Sequence, residues 1–140
     1  MINKKILLAE DDLLDKELAI NTLRSINIQN EIMHFDNGQS VIDYMSDINN
    51  VKDIGLIVLD LKMPKLTGIQ VLKCLKENSL TKYIPVVILS SSKEHKDVTE
   101  CYSLGANSYI VKPVDVFKYE ESIKLLGKYW LSINHINFIN

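Results

Sequence analysis

The sequence predicts an α/β fold, a doubly wound parallel sheet with helices on both faces. Three observations predict it. Short apolar segments alternate with amphipathic ones about five times, and no Pro- or Ser-rich linker interrupts them. The third apolar segment, 54–59, is apolar at nearly every position, as expected of a parallel strand covered on both sides. Turn and cap residues punctuate the segments, as at Asp36-Asn37-Gly38 and Gly105. Right-handed crossovers then carry every strand's carboxyl end to one edge.

The elements follow in order. Lys5-Ile6-Leu7-Leu8-Ala9 is a short apolar strand, ended by Glu10-Asp11-Asp12. A helix is predicted over 13–26, with Leu14, Leu18, Leu23 and in part Thr22 facing inward. Asp11 or Asp12 can cap it, and Asp15 adds charge in its first turn. Segment 31–35 alternates and predicts the second strand. A helix over 39–48 follows, with Val41, Ile42 and Met45 inward. The third strand, 54–59, ends on Asp60, and Leu61-Lys62-Met63-Pro64 comes next. Segment 68–75 is an amphipathic helix. The fourth strand, 85–89, ends at Ser90-Ser91-Ser92. A helix over 93–104 stops at Gly105. The fifth strand, 108–111, ends at Lys112-Pro113. Asp115 opens a last helix to about residue 131, with Val116, Ile123, Leu126 and Trp130 inward and Phe117, Tyr119, Leu125 and Tyr129 partly elsewhere. Ile133, Ile136, Phe138 and Ile139 continue the apolar character, which suggests a partner or a dimer.

Composition narrows the function. The chain has 140 residues, the size of one domain, with 46% hydrophobic and 24% charged residues. A formal net charge of -2 argues against nucleic-acid or anionic-membrane binding. No apolar run approaches the length of a membrane span. Cys74 and Cys101 form no short-spaced pair, and no secretory leader is evident. A cytoplasmic protein with reduced thiols, both packed on helices, is therefore expected. His34, His95 and His135 have no zinc-ligand spacing.

The strand ends hold the chemistry. Acids end the first and third strands (Glu10, Asp11, Asp60), a hydroxyl ends the fourth (Ser90) and an ammonium ends the fifth (Lys112). Ligands of such sheets bind outside the carboxyl ends, at the switch point. Clustered carboxylates repel unless protonated or bridged by a cation. A hard divalent ion, Mg²⁺ above all, resolves that repulsion. A carboxylate beside such an ion can act as nucleophile toward a phosphoryl group. Lys112 would pair with one phosphoryl oxygen and the Ser90 hydroxyl would donate to another.

The pieces 6–12, 59–68, 85–91 and 105–113, in order and at strand ends, resemble the receiver domain of two-component response regulators. The likeness covers about residues 4–126, with an extension over 127–140. It implies a flavodoxin-like five-stranded sheet in the order 2-1-3-4-5 and a single receiver domain over 1–140. It implies that Asp60 is the phosphoacceptor. Asp11 would bind the metal directly, Glu10 largely through water, and the Lys62 backbone carbonyl would be a further ligand. Ser90 would be the switch hydroxyl, Lys112 the phosphoryl-pairing lysine and Tyr109 the aromatic that turns inward. The Lys112-Pro113 bond would be cis, a state proline makes accessible. Asp12 is left as the helix cap, and Ser91 and Ser92 as loop formers.

The resemblance further implies a histidine kinase or phosphotransfer protein as donor, and output through the fourth helix, fifth strand and fifth helix. That face could also hold a homodimer. The segments 105–109 and 125–131 are similar to those of small stand-alone regulators paired with phytochrome-type or hybrid kinases. Such a chain is a phosphoacceptor that assists its own chemistry, rather than an enzyme with a separate substrate. Three rival readings fit the residues less well. A haloacid-dehalogenase-type phosphatase wants an acid two residues after the nucleophile, where Lys62 stands. A flavin module wants a phosphate loop where Glu10-Asp11-Asp12 would repel one. A pseudo-receiver would lack some member of the acid, hydroxyl and lysine set.

Overall fold

In a computed structural model, which describes residues 4–135, five parallel strands form one sheet in the order β2-β1-β3-β4-β5. The strands are β1 (Lys5–Ala9), β2 (Ile32–Phe35), β3 (Ile54–Leu59), β4 (Val86–Ser90) and β5 (Ser108–Val111). The helices are α1 (Leu13–Ser25), α2 (Gly38–Met45), α3 (Gly68–Glu77), α4 (His95–Ser103) and α5 (Val116–Lys128). A helical turn, Ile48–Val51, precedes β3, and a π-helical turn, Tyr129–Ile133, follows α5.

The period of two along the strands splits the core into two clusters. Leu7, Ala9, Ile57, Leu59, Val86 and Ile88 face one side, under Val41 and Met45 of α2, Val71, Leu72 and Leu75 of α3, and Cys101 of α4. Ile6, Leu8, Leu56, Val58, Val87 and Leu89 face the other, under Ala19 and Leu23 of α1 and Tyr119, Ile123 and Leu126 of α5. All six residues of β3 are buried, as its unbroken apolar run requires.

Several expectations are corrected. Leu14 is 82% exposed and Val116 is exposed, whereas Tyr119 is buried. The first turns of α1 and α5 start at the edge where the strands have ended, so no strand lies beneath their apolar residues. The helix expected over 39–48 stops at Met45, because Asp47 accepts the Asn49 N–H at 2.9 Å and caps a separate turn. The last helix leaves α geometry at Lys128, and the Asn134 N–H closes a wider turn on the Tyr129 carbonyl. Cys101 is buried, but Cys74 is exposed, flanking the inward stripe of Val71, Leu72 and Leu75. Every peptide bond among the described residues is trans, Lys112-Pro113 included. Trans is the lower-energy form of such a bond, and it already lets the Lys112 ammonium reach the acids of β1 and β3. Ile136, Phe138 and Ile139 lie outside the described residues.

Gly68 locks the segment after β3 against the sheet. Its N–H donates to the Leu61 carbonyl at 2.9 Å, and a Cβ there would lie 2.1 Å from the Asp60 carbonyl oxygen. Gly68→Ala is therefore expected to cost at least about 1–3 kcal/mol, read as a lower urea midpoint at unchanged slope. An unchanged midpoint would show that α3 can shift away freely.

Candidate functional site

The order β2-β1-β3 places a switch point between β1 and β3. Ala9 and Leu59 are partners in the ladder, so the next residues, Glu10 and Asp60, emerge side by side. The Asp60 N–H donates to the Ala9 carbonyl at 3.0 Å. Glu10 is 2% and Asp60 7% exposed, whereas Asp11 is exposed. One carboxylate oxygen from each of Glu10, Asp11 and Asp60 lies within 4.8 Å of the other two.

Lys112 reaches this group from the end of β5. Its ammonium donates to Glu10 Oε1, to Asp15 Oδ2 at 2.9 Å and to Asp60 Oδ2 at 3.1 Å. An ammonium has three N–H groups, and three carboxylates take them. Burial pushes the Glu10 carboxyl up to about 8, with Asp60 adding to the rise and Lys112 opposing it. Burial also works against the Lys112 ammonium. The hydrogen bonds it donates to Glu10 and Asp15 and the charge of Asp60 outweigh it, holding its pKa above that of an ordinary lysine. One ammonium thus leaves negative charge in excess. An all-oxygen donor set with excess negative charge fits a hard divalent cation.

The surroundings fix these groups. Asp12 caps α1 by accepting the Asp15 N–H at 3.0 Å, while its own N–H donates to Glu10 Oε2 at 3.2 Å. His34 on β2 contacts the Glu10 carbonyl through Nε2 at 2.7 Å. The Lys62 N–H lies 3.4 Å from Asp60 Oδ1, and its side chain is exposed. Leu61 and Met63, on either side, are buried and pin the loop. Lys65 takes a left-handed φ of 70°, which turns the chain toward α3. Thr67 and Gln70 then cap α3 reciprocally, a Thr-x-x-Gln capping box legible in the sequence but unread there.

Ser90 is wholly buried at the end of β4. Its Oγ accepts the Ser92 N–H at 3.2 Å and its carbonyl accepts the Lys112 N–H at 2.8 Å, tying the ends of β4 and β5 together. Ser92 is more than a loop former. It is buried, and its hydroxyl donates to Asp97 Oδ2 at 2.5 Å. Tyr109 packs against the first core cluster, and its hydroxyl donates to the Ser92 carbonyl at 2.6 Å. Burial raises its pKa above the ordinary tyrosine value.

The structure therefore brings Glu10, Asp11, Asp60 and Lys112 into one group. Ser90 and Tyr109 sit beside it on β4 and β5, and the Lys62 side chain points to solvent. Asp15 and Tyr119 were not expected at the site. Both border a cleft of 250 Å³ that Lys112, Pro113 and Ser91 also line.

Comparison with known proteins identifies the family. The profile of the response regulator receiver domain matches residues 6–124. The response regulator Rcp1 of Synechocystis is 34% identical over 134 residues, 91% of this chain and 89% of that protein. The chemotaxis protein CheV2 of Helicobacter pylori is 32% identical over 123 residues, 86% of this chain but 38% of its own length. The phosphorylated cyanobacterial phytochrome response regulator RcpA superposes with a TM-score of 0.90 at 31% identity, over 96% of this chain and 98% of that one. A Mn²⁺-bound form of Rcp1 gives the same TM-score of 0.90 at 30% identity, over 96% and 99%. The profile spans most of the chain and the acids of β1 and β3 meet at the switch point, so this chain belongs to the receiver-domain family of two-component response regulators.

Proposed function

We propose that this chain is a single-domain receiver that accepts a phosphoryl group on Asp60 and reports it through protein contacts. The observation that supports it most is the convergence of Glu10, Asp11, Asp60 and Lys112 at the sheet's switch point. Glu10, Asp11 and Asp60 would hold Mg²⁺, with the Lys62 carbonyl as a further ligand. When bound, the ion would neutralise charge on the phosphoryl oxygens. An Asp60 oxygen forms the bond to phosphorus as the bond to the donor's leaving group breaks. Lys112, already against Asp60, takes one phosphoryl oxygen. The Ser90 hydroxyl donates to another, and Tyr109 follows the loop that Ser92 anchors. No substrate other than the donor is required, so the chain is not an enzyme with a separate turnover.

Receiver domains pair with histidine kinases. For this chain we infer a phytochrome-type or hybrid kinase, or a phosphotransfer protein, from the likeness to Rcp1 and RcpA. Val111, Leu125, Tyr129 and Ile133 leave apolar surface exposed on β5, α5 and the turn after it. That supports partner binding, or a homodimer, through the face of α4, β5 and α5. Among the described residues no helix is long and apolar enough to cross a membrane. A net charge of -2 offers no footprint for nucleic acid. Both fit a cytoplasmic signalling protein.

The test is incubation with Mg²⁺ and acetyl phosphate, followed by intact-mass measurement, peptide mapping and sedimentation. A single phosphoryl adduct on Asp60, with altered sedimentation, is expected. No adduct makes the chain a pseudo-receiver, and sedimentation as a monomer both with and without the adduct removes the dimer. Lys62 bears on how long the adduct lasts. Lys62 lies two residues after the acceptor, and its long exposed side chain would limit the approach of water to an acyl phosphate there. Lys62→Asn is expected to shorten the lifetime of the acyl phosphate, followed as loss of the adduct after donor removal. Equal lifetimes would leave Lys62 without a kinetic role.

A further inference from the structure

Asp15 is the carboxylate at the site that the chemistry above leaves unused. About a third of its side chain is exposed, 35%, yet three bonds hold the residue. Its N–H donates to Asp12 Oδ1 at 3.0 Å, and its carbonyl accepts the Tyr119 hydroxyl at 3.2 Å. Its carboxylate accepts the Lys112 ammonium at 2.9 Å. Tyr119 is itself buried on α5, so α1 and α5 fix Asp15 from two sides. Ordinary surface ion pairs are not braced in this way.

The three partners of Lys112 are of two kinds. Glu10 and Asp60 belong to the carboxylate group that fits a cation, and Asp15 does not. A divalent ion in that group competes with the ammonium for the same oxygens and repels it. Asp15 is then the partner left to the lysine.

We propose that Asp15 is a positioning residue that anchors the Lys112 ammonium, so that a divalent ion can take Glu10 and Asp60 while the lysine stays beside the phosphoacceptor. This rests on the reading of Glu10, Asp11 and Asp60 as the cation site. Without the anchor, every partner of the ammonium is also a ligand of the ion, and the two cations displace each other. With it, both are held at once, and the phosphoryl group meets a lysine already in place.

The test is calorimetric titration of the full chain with Mn²⁺. Asp15→Asn is expected to weaken Mn²⁺ binding about two- to fivefold, the range of a partly exposed ion pair. Asp15→Glu, which restores a carboxylate, is expected to recover most of the loss. In a Lys112→Met background the Asp15→Asn factor falls toward one. The same factor in both backgrounds makes Asp15 a general negative charge and overturns the anchor. So does an unchanged affinity of Asp15→Asn in a wild-type chain that binds Mn²⁺. A second measurement needs no Lys112 variant. At saturating Mg²⁺, ¹⁹F NMR of bound beryllofluoride is expected to show weaker binding by Asp15→Asn. Removing a negative charge alone would tighten an anion, so tighter or equal binding overturns the anchor. A wild-type chain that binds no Mn²⁺ overturns the cation-site reading itself, and the anchor with it.

Discussion

Replacing Asp60 with Asn gives a folded chain that takes up no phosphoryl group from acetyl phosphate and Mg²⁺. The amide keeps the shape of the side chain but has no carboxylate to attack phosphorus. The fold is expected to survive, because Asp60 shares its space with Glu10 and Asp11, and losing one negative charge there lessens repulsion. Lys112 keeps Glu10 and Asp15 as partners. The thermal midpoint without metal should hold or rise. The gain in midpoint on adding Mg²⁺ should shrink, since one of three carboxylates is gone and metal stabilises only through its affinity for the folded state. Intact mass and thermal unfolding, each with and without Mg²⁺, check the two halves. Uptake at the wild-type level would move the acceptor to another carboxylate. Collapse of the fold would make Asp60 a structural residue.

The site was legible where it depends on how strands end. β1, β3 and β5 have the bounds expected of them, and for the buried β1 and β3 the reason is that an apolar run must stop where its residues reach the sheet's edge. The candidate site residues Glu10, Asp60, Ser90 and Lys112 are those that end or follow the apolar runs of the strands. What was missed depends on how helices lie across the sheet. Leu14 and Val116 continue a helical stripe, but periodicity does not say where a helix overruns the strands beneath it. Asp15 and Lys112 are 97 positions apart, and only the crossover that sets α1 beside α5 brings them together. The full burial of Tyr119, expected only partly outside the inward face, has the same origin. The break after Met45 was missed for a local one, since Asp47 caps a new turn inside a stretch whose apolar spacing continues.

Removing the Lys112 ammonium should cost the most stability of any change at the site. Its side chain is 9% exposed, and those of Glu10 and Asp60 are as deeply buried. Taking one partner from a buried ion pair leaves an uncompensated charge and costs about 3–5 kcal/mol. Asp15 adds little to that figure, being partly solvated. Lys112→Met keeps most of the apolar stem, so a loss shared with Lys112→Ala is the loss of charge rather than of packing. The cost should also depend on metal. In wild type a cation bound there would share Glu10 and Asp60 with the ammonium, whereas in the variant no other ammonium or guanidinium among the described residues pairs with them. Mg²⁺ is therefore expected to raise the midpoint of Lys112→Met by more than that of wild type, restoring much of the stability while phosphoryl uptake stays impaired. Urea unfolding in EDTA and in Mg²⁺ separates the terms. Equal gains from Mg²⁺ in both chains would mean that the ammonium and the ion do not contend for the same oxygens. A loss well under 1 kcal/mol in EDTA would mean that Glu10 keeps the proton its raised pKa of about 8 favours at neutral pH and that the charge of Asp60 is tolerated without the ammonium. The two variants thus report whether the site balances its charge with an ammonium, a proton or a metal.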